Sequence, residues 1–173
     1  MTREYPDEPA DEFPRPPRTV TDREGRAVTI DPADMGDHDG VLEMYLSFDP
    51  ADRAQGIPPA NESAIENWLE TILGDDTFNV VAHHDDSVVG HATLVPDRNG
   101  EYELAIFVLQ SFQGAGIGTN LVETLLGLGQ AEGLGKVWLT VERWNDPAIA
   151  LYRKVGFETT TTESFEIEMS IRL

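Results

Sequence analysis

A glycine-crowded segment, Gln113 to Thr119, holds residues whose types and spacing could do chemistry. It follows the continuous apolar run 104–109 and precedes a helical spacing of apolar residues that begins at Leu121. Glycine lets a backbone approach a ligand closely, and the first amides of a helix have no partner inside the helix. The segment is therefore predicted to be a strand-to-helix turn that binds an anion, and pyrophosphate suits such a turn.

Three cofactor classes use a turn of this kind, and the spacing of the glycines separates them. A dinucleotide fold needs G-x-G-x-x-G with an acidic residue about 20 positions later. Here Leu121 stands in place of the third glycine, and Trp138 stands near the acidic position. A nucleoside triphosphate loop needs a lysine before its serine or threonine, whereas Thr119 follows Gly118 directly. The spacing that fits is Q-x-x-G-x-G, from Gln113 to Gly118.

The Q-x-x-G-x-G segment, with Val108 five residues upstream, resembles the acyl-CoA-binding signature of the GNAT superfamily of N-acyltransferases. A second segment, from Asn145 to Phe157, is similar to the superfamily's N-x-x-A-x-x-L-Y-x-x-x-G-F pattern. The resemblance implies an α/β GNAT fold with a mixed, mostly antiparallel central sheet flanked by helices. It also implies acetyl-CoA as cosubstrate, direct transfer of the acetyl group to a primary amine, and no metal.

The resemblance also assigns the cofactor contacts. Loop amides would hold the pyrophosphate, strand residues would pair with the pantetheine arm, and Asn145 would bind that arm or brace the strands. The predicted acetyl-CoA-binding residues are Ile106, Phe107, Val108, Gln113, Gly114, Ala115, Gly116, Ile117, Gly118, Thr119 and Asn145.

Glu103 and Tyr152 are the predicted catalytic residues. Glu103 interrupts an apolar strand, where a carboxylate would be partly desolvated. The same E-x-A pattern in relatives implies a general base, and the alternative is an edge glutamate that faces solvent. Tyr152 matches the family's tyrosine in step with Asn145, which implies the acid that protonates the leaving thiolate. The alternative is a core aromatic at helical spacing.

The acceptor and the base stay open in the sequence. Some relatives that acetylate protein N-termini carry a glutamate where this chain has Thr140, and this departure weakens that assignment. Glu142 lies two positions further and is the second candidate for the base or for a substrate contact. The acceptor is predicted to be a protein lysine or a small-molecule amine. A non-catalytic acyl-CoA sensor and a generic nucleotide-binding module are the alternative functions.

The composition restricts partners more than it restricts the substrate. The 173 residues include 12 basic and 32 acidic side chains and give a net charge of −20. Such a surface repels nucleic acid and anionic membranes, so neither is a predicted partner. An acid-rich, lysine-poor chain is similar to proteins from organisms with molar internal salt, where the Debye length is about 3 Å.

The sequence contains no cysteine, which excludes disulfides, a thiol nucleophile and thiolate metal ligands. No apolar run approaches the ~20 residues of a membrane span, and the N-terminus lacks a signal pattern. These features predict a soluble, cytoplasmic protein.

The chain is predicted to comprise a tail that is disordered or loosely attached, residues 1–17, and one GNAT domain, residues 18–173. Five prolines and many acids mark the tail. A hairpin is predicted over 19–30, of a kind seen in GNAT enzymes that resemble bacterial protein lysine acetyltransferases. Helices are predicted over 35–48 and from about 61 to 73, and the residues between them, 49–59, are predicted to contribute to acceptor recognition.

Strands are predicted over 78–83 and 87–95, joined at Asp85-Asp86, and a C-terminal hairpin is predicted from 158 to 173. A homodimer is possible through exchange or pairing of the last strand. His83 and His84 lie beside two aspartates, but neighbouring strand residues point to opposite faces, which favours a polar turn over a metal site. A structural role is predicted for His91, which lies in mid-strand.

Overall fold

The computed structural model of the chain describes residues 3–48, Pro59 and residues 61–173. The strands and helices are, in chain order, β1 (Arg18–Thr21), β2 (Ala27–Pro32), α1 (His38–Leu46), α2 (Glu62–Ile72), β3 (Phe78–His84), β4 (Ser87–Pro96), β5 (Tyr102–Val108), α3 (Ile117–Ala131), β6 (Lys136–Glu142), α4 (Asp146–Val155), β7 (Glu158–Thr162) and β8 (Glu166–Arg172). Both predicted hairpins are confirmed.

The eight described strands form one sheet in the order β1-β2-β3-β4-β5-β6-β8-β7. Every described neighbouring pair is antiparallel except β5 and β6, so the predicted mixed, mostly antiparallel sheet is confirmed. Within the chain, β8 pairs with β6 on one side and with β7 on the other. Both edges of β8 therefore already form backbone hydrogen bonds within the chain.

Each face of the sheet is covered by a pair of helices. The larger core joins one face to α3 and α4, through residues such as Leu121, Leu125 and Ile149. The smaller core joins the other face to α1 and α2, where Tyr45 and Leu69 are buried. Because successive strand residues point to opposite faces, each strand contributes to both cores.

The one parallel pair opens into a gap. Strands β5 and β6 are paired only at Tyr102 with Val137 and at Glu103 with Trp138. Beyond these two positions, the facing edges of the two strands are not paired to any strand that the structure describes. The gap opens toward the C-terminal end of β5, where the glycine-rich segment follows.

Local sequence sets the ends of the helices and the tightest turn. The side chain of Asn61 accepts from the amide of Ala64 at 2.9 Å, so Asn61 is the N-cap of α2. Gly133, with φ of +82°, follows the end of α3, where a glycine in this conformation can end a helix. Asp85 and Asp86 both have positive φ, which suits the two-residue turn between β3 and β4.

Residues 3–17, which the composition predicts to be disordered, lie against the domain in this structure. The amide of Ala10 donates to the carbonyl of Arg172 at 2.7 Å, and the amide of Phe13 donates to Gln130 Oε1 at 2.8 Å. Phe13 also packs against the larger core. We name this stretch the N-terminal strap.

Gly127 in α3 explains how the strap fits. A β-carbon at Gly127 would lie 1.9 Å from the carbonyl oxygen of Pro14, far inside contact distance. Only glycine therefore lets the strap cross the helix here. The composition could not predict this contact, because it joins segments more than 100 positions apart in the chain.

Candidate active site

The glycine-rich loop presents six consecutive backbone amides, from Gly114 to Thr119. None of them donates to an acceptor in the described part of the chain. Gly114 and Gly116 have φ of +72° and +90°, a region that disfavours residues with a β-carbon. A β-carbon at Gly114 would have no heavy atom within 4 Å, so the space beside it is open. Free amides at a helix N-terminus form an anion-binding arrangement.

Side-chain contacts and close packing fix the loop in place. The side-chain amide of Gln113 donates to the carbonyl of Val108 at 2.9 Å and so ties the loop to the end of β5. A β-carbon at Gly118 would lie 3.0 Å from Leu151 Cδ1 and 3.7 Å from Ile106 Cδ1. Gly118 therefore lets α3, α4 and β5 approach one another closely. The side chains of Ala115 and Ile117 are buried and anchor the loop in the core.

The edge of β5 that faces the gap carries backbone groups of Ile106 and Val108. The amide of Leu109 donates to Val89 of β4, and hydrogen-bonded positions alternate along an antiparallel pair. The backbone groups of Phe107 therefore bond to β4, whereas those of Ile106 and Val108 point into the gap. The side chain of Phe107 is buried in the smaller core, 5.5 Å from the ring of Tyr45.

Helix α4 holds the two predicted residues of the second motif. Asn145 is its N-cap, and its side chain accepts from the amide of Ala148 at 3.4 Å. Tyr152 lies two turns further, 8% exposed, with its ring 5.8 Å from that of Phe157. Burial raises the pKa of the Tyr152 hydroxyl well above its usual value, so this group keeps its proton at neutral pH.

Glu103 lies at the point where β5 and β6 separate. It is half-buried, and burial raises the pKa of its carboxyl group. Arg3 opposes this rise in pKa, and Asp97 and Glu166 add to it. Partial desolvation, which the sequence predicts for this carboxylate, is therefore observed.

Glu142 lies at the far end of β6 from Trp138. The pairing of Glu103 with Trp138 places both side chains on one face, and Thr140 and Glu142 follow on that face at every second position. The carboxylate of Glu142 accepts from Trp144 Nε1 at 3.1 Å. Glu103 and Glu142 therefore share a face but stand at opposite ends of β6.

Sequence reasoning missed the surroundings of Glu103. Arg3 of the strap stacks over the ring of Trp138 at 3.6 Å and bonds to Glu168 at 2.7 Å. Trp138 Nε1 in turn donates to Asp97 at 3.0 Å. No local signal in the sequence could place Arg3 here, because the strap was predicted to be disordered.

The same face carries a groove of about 380 Å³ beside this group of residues. Its lining is polar and includes several carboxylates, namely Arg3, Glu4, Thr140, Thr160, Thr161, Glu163, Glu166 and Glu168. The groove suits a polar guest with positive charge.

His91 has the structural role that the sequence predicts for it. It is fully buried; Tyr45 Oη lies 2.6 Å from His91 Nδ1, and Asn79 Oδ1 lies 2.8 Å from His91 Nε2. Burial lowers the pKa of His91 to about 3, so the ring is neutral. His84 contacts the carbonyl of Ala27 and the carboxylate of Asp85. Among the residues that the model describes, no group of three or more metal-ligating side chains is present.

One prediction concerns residues that the structure does not describe. The segment 49–59, predicted to recognise the acceptor, lies outside them except for Pro59. No helix of the described residues has the length and apolar character needed to cross a membrane.

The architecture is shared with solved acetyltransferase structures. The GNAT domain of S. lividans PAT superposes with a TM-score of 0.76 at 15% identity, covering 91% of this chain and 97% of that domain. A GNAT superfamily phosphinothricin acetyltransferase from Sinorhizobium meliloti, solved in complex with AcCoA, gives a TM-score of 0.71 at 24% identity. The coverage there is 84% of this chain and 88% of that one. The fold is therefore the GNAT fold.

The family assignment follows from sequence. The model of the acetyltransferase (GNAT) family matches residues 40–157, and the chain belongs to this family. A mycothiol acetyltransferase from Saccharomonospora viridis is 38% identical over 141 residues, which covers 73% of this chain and 44% of the relative. The N-alpha-acetyltransferase RimI of Mycobacterium tuberculosis is 46% identical over 108 residues, 51% of this chain and 66% of the relative.

An uncharacterized N-acetyltransferase from Mycobacterium bovis is 30% identical over 89 residues. That match covers 51% of this chain and 57% of the relative. The chain thus spans little more than half the length of this relative.

Proposed function

We propose that this chain transfers an acetyl group from acetyl-CoA to a primary amine. The observation that carries the proposal is the row of six free amides from Gly114 to Thr119, placed at the mouth of the gap between β5 and β6. The loop suits the pyrophosphate, and the gap suits an extended arm that pairs with a strand edge.

The backbone of β5 would hold the thioester end of the substrate. The groups of Ile106 and Val108 that point into the gap would pair with the amides of the pantetheine arm. A Val108 amide in this position would also donate to the carbonyl oxygen as negative charge develops on it. The carbonyl of Val108 is already bonded to Gln113, so its amide is the group left for this task.

Proton transfer is assigned to Glu103 and Tyr152. An amine acceptor is protonated in water, with a pKa near ~10.4 for lysine, and must lose a proton before it attacks. Glu103 would accept that proton. The nitrogen would then attack the thioester carbonyl, the carbon–sulfur bond would break, and Tyr152 would give its proton to the leaving thiolate. The second proton that the nitrogen loses on forming the amide would restore the hydroxyl of Tyr152. The raised pKa of Tyr152 supports its role as an acid.

The acceptor is proposed to be a protein lysine or a small-molecule amine. The carboxylates of the groove next to Glu103 would attract a protonated amine before it loses its proton. The RimI relative is by name an N-alpha-acetyltransferase. This chain, however, has Thr140 where some relatives that acetylate protein N-termini carry a glutamate. The carboxylates of the groove favour a cationic acceptor.

Thermal unfolding in molar potassium chloride tests the donor. Acetyl-CoA at 100 times its dissociation constant should stabilise the protein by about 2.7 kcal/mol, and ATP and NAD serve as controls. A midpoint raised by acetyl-CoA alone supports the proposal. No shift, or a larger shift with ATP or NAD, contradicts it.

Turnover tests the chemistry. A screen of amines, including lysine peptides and polyamines, with detection of released CoA should find an acceptor. Tyr152→Phe keeps the ring and removes the acid, and we expect a loss of turnover of about 100-fold to 10,000-fold. Binding of acetyl-CoA without turnover of any amine would instead favour the acyl-CoA sensor.

A further inference from the structure

The tip of the β1–β2 hairpin lies against the glycine-rich loop. The amide of Arg23 donates to the carbonyl of Ala115 at 3.0 Å, and the Arg23 guanidinium donates to the carbonyl of Gly114 at 3.4 Å. The guanidinium of Arg26 donates to the carbonyl of Ser111 at 3.2 Å. Two carbonyls of the loop, and that of Ser111 just before it, are thus bound by two residues that lie about 90 positions earlier in the chain.

Arg26 is itself held in a defined place. Asp22, whose side chain is buried, accepts from Arg26 Nε at 2.7 Å and from the backbone amides of Glu24 and Arg26 at 2.9 Å. Its guanidinium stacks over the ring of Phe112 at 4.1 Å. The hairpin tip is therefore a rigid unit, and Arg26 connects it to the start of the loop.

The carbonyls and the amides of the loop are used differently. The hairpin takes carbonyls at Ser111, Gly114 and Ala115, whereas the amides from Gly114 to Thr119 stay free. A glycine-rich loop has many accessible conformations, so ordering its amides on binding would cost conformational entropy. Contacts that fix the carbonyls before binding reduce that cost.

The charge of Arg23 adds to the effect. Its side chain is exposed, and no described carboxylate lies within ion-pair distance of it. In a chain with a net charge of −20, an unpaired cation beside the loop makes the local potential less hostile to a polyphosphate. Arg26, by contrast, is neutralised by Asp22.

We propose that the β1–β2 hairpin pre-forms the acetyl-CoA loop, with Arg23 and Arg26 as its positioning residues. The inference rests on the proposed function, because it concerns the same donor site. Its specific consequence is a loss of affinity that depends on the phosphate-bearing half of the donor. The thioester half binds in the gap of β5 and β6, which the hairpin tip does not contact among the described residues.

The experiment compares two ligands on three variants. Dissociation constants for acetyl-CoA and for S-acetyl-pantetheine, which lacks the pyrophosphate and the nucleotide, are measured for the wild type, Arg23→Gln and Arg26→Gln. Arg98→Gln is the matched control, because Arg98 is an exposed arginine in the turn at the opposite end of β5. We expect about a tenfold weakening for acetyl-CoA with each hairpin variant, of the size of one charged hydrogen bond. The affinity for S-acetyl-pantetheine should not change.

A second readout reports the loop without a ligand. Backbone ¹⁵N relaxation of Gly114 and Gly116 should show increased mobility in Arg26→Gln and unchanged mobility in Arg98→Gln. Arg26→Lys, which keeps the charge but cannot bond to Asp22 and Ser111 in the same fork, should recover only part of the affinity.

The outcomes separate this inference from the proposed function. Equal weakening of the binding of both ligands overturns the inference, and so does unchanged acetyl-CoA affinity with a rigid loop in both hairpin variants. Either result leaves the proposed function of the wild type standing. A wild-type protein that binds no acetyl-CoA overturns the proposed function, and the inference with it.

Discussion

At its C-terminal end, β5 leads into a loop whose working groups are backbone amides, whereas near its N-terminal end it carries Glu103 among side chains from distant segments. The loop amides are uncharged, and glycine conformations place them. The carboxylate of Glu103 is charged, and Arg3, Asp97 and Glu166 set its environment. The groups of the first end belong to seven consecutive residues, whereas those of the second end come together only through the tertiary fold.

This difference determines how each end responds to change. The amide end depends on backbone geometry, so side-chain substitutions should affect it mainly at the glycines, at Gln113, which ties the loop to β5, and at the hairpin that fixes the carbonyls. The carboxylate end depends on burial and on neighbouring charges, so it should respond to pH, to salt and to the strap. Four predictions test this contrast.

The largest effect is expected for Glu103→Gln. Removal of a general base typically costs about 100-fold to 10,000-fold in turnover, and amine acetylation under saturating acetyl-CoA measures it. The same variant should unfold at a higher temperature at pH 7. Burial raises the pKa of Glu103 in the folded state, so stability is lost as pH rises through the unfolded pKa toward the folded pKa, and the cost is complete above both.

Glu142→Gln is the control for that prediction. Glu142 lies on the same face but at the other end of β6, and it bonds to Trp144. If Glu142→Gln abolishes turnover and Glu103→Gln does not, the base is Glu142. Affinity for acetyl-CoA should be the same in both variants, because neither carboxylate lies in the loop.

The sequence predicted the amide end in more detail than the carboxylate end. The spacing from Gln113 to Gly118 describes a local backbone path, and local paths are readable from glycine positions. Gln113 is an exception, because its side chain donates to the carbonyl of Val108 and braces the loop, and glycine spacing does not indicate such a contact. The roles of Arg3, Trp138 and Asp97 around Glu103 could not be predicted, because their contacts link positions from 41 to 165 residues apart.

The strap shows the same limit in another way. Its prolines and acids predict disorder if only local interactions are counted, yet it supplies Arg3 to the carboxylate end. The disorder rule considers whether a segment can bury its own apolar surface. It does not consider whether another surface of the protein, such as the part of α3 at Gly127, has room for the segment to pack.

Gly127→Ala should therefore destabilise the protein. The added β-carbon would meet the carbonyl of Pro14, and overpacking of this kind costs about 1–3 kcal/mol, more than the helix propensity of ~1 kcal/mol that alanine gains. Urea unfolding measures the change, and proteolysis of the strap should become faster. Gly129→Ala is the matched control in the same helix, because a β-carbon there would meet only side-chain ends, at 3.4 Å or more. Equal stability of the two variants would contradict the strap contact.

His91 lies on β4, where it pairs with Phe107 of β5, and it should give the stability of the fold a defined pH dependence. Its pKa is lowered to about 3 by burial, far below that of an unfolded histidine near ~6.5. The unfolded state therefore binds one more proton between these values, and stability falls as pH drops below about 6.5, by up to ~1.4 kcal/mol per pH unit. Denaturant unfolding of the wild type and His91→Gln between pH 7 and pH 5 isolates this slope.

The carboxylates also titrate in that experiment, so the difference between the two proteins is the quantity of interest. If His91→Gln does not fold, the imidazole ¹⁵N shifts of the wild type answer the same question, and they should stay those of a neutral ring at pH 5. A ring that protonates near pH 6 in the folded protein would contradict the buried contacts with Tyr45 and Asn79.

The smallest effect is expected for Arg3→Gln, and it tests directly whether the strap tunes the carboxylate end. Arg3 opposes the rise in the pKa of Glu103, so its removal should raise that pKa further. The acid limb of the pH profile of kcat/KM should then move to higher pH, and the shift should shrink in molar salt because the interaction is screened. Arg3→Lys retains the charge, although a lysine stacks less well on Trp138, and its profile should stay close to that of the wild type. Identical profiles for Arg3→Gln and the wild type at low salt would mean that the strap covers the site without tuning it. A shift that leaves acetyl-CoA affinity unchanged would place the effect of Arg3 at the carboxylate end alone, since the loop amides at the other end of β5 carry no charge for it to influence.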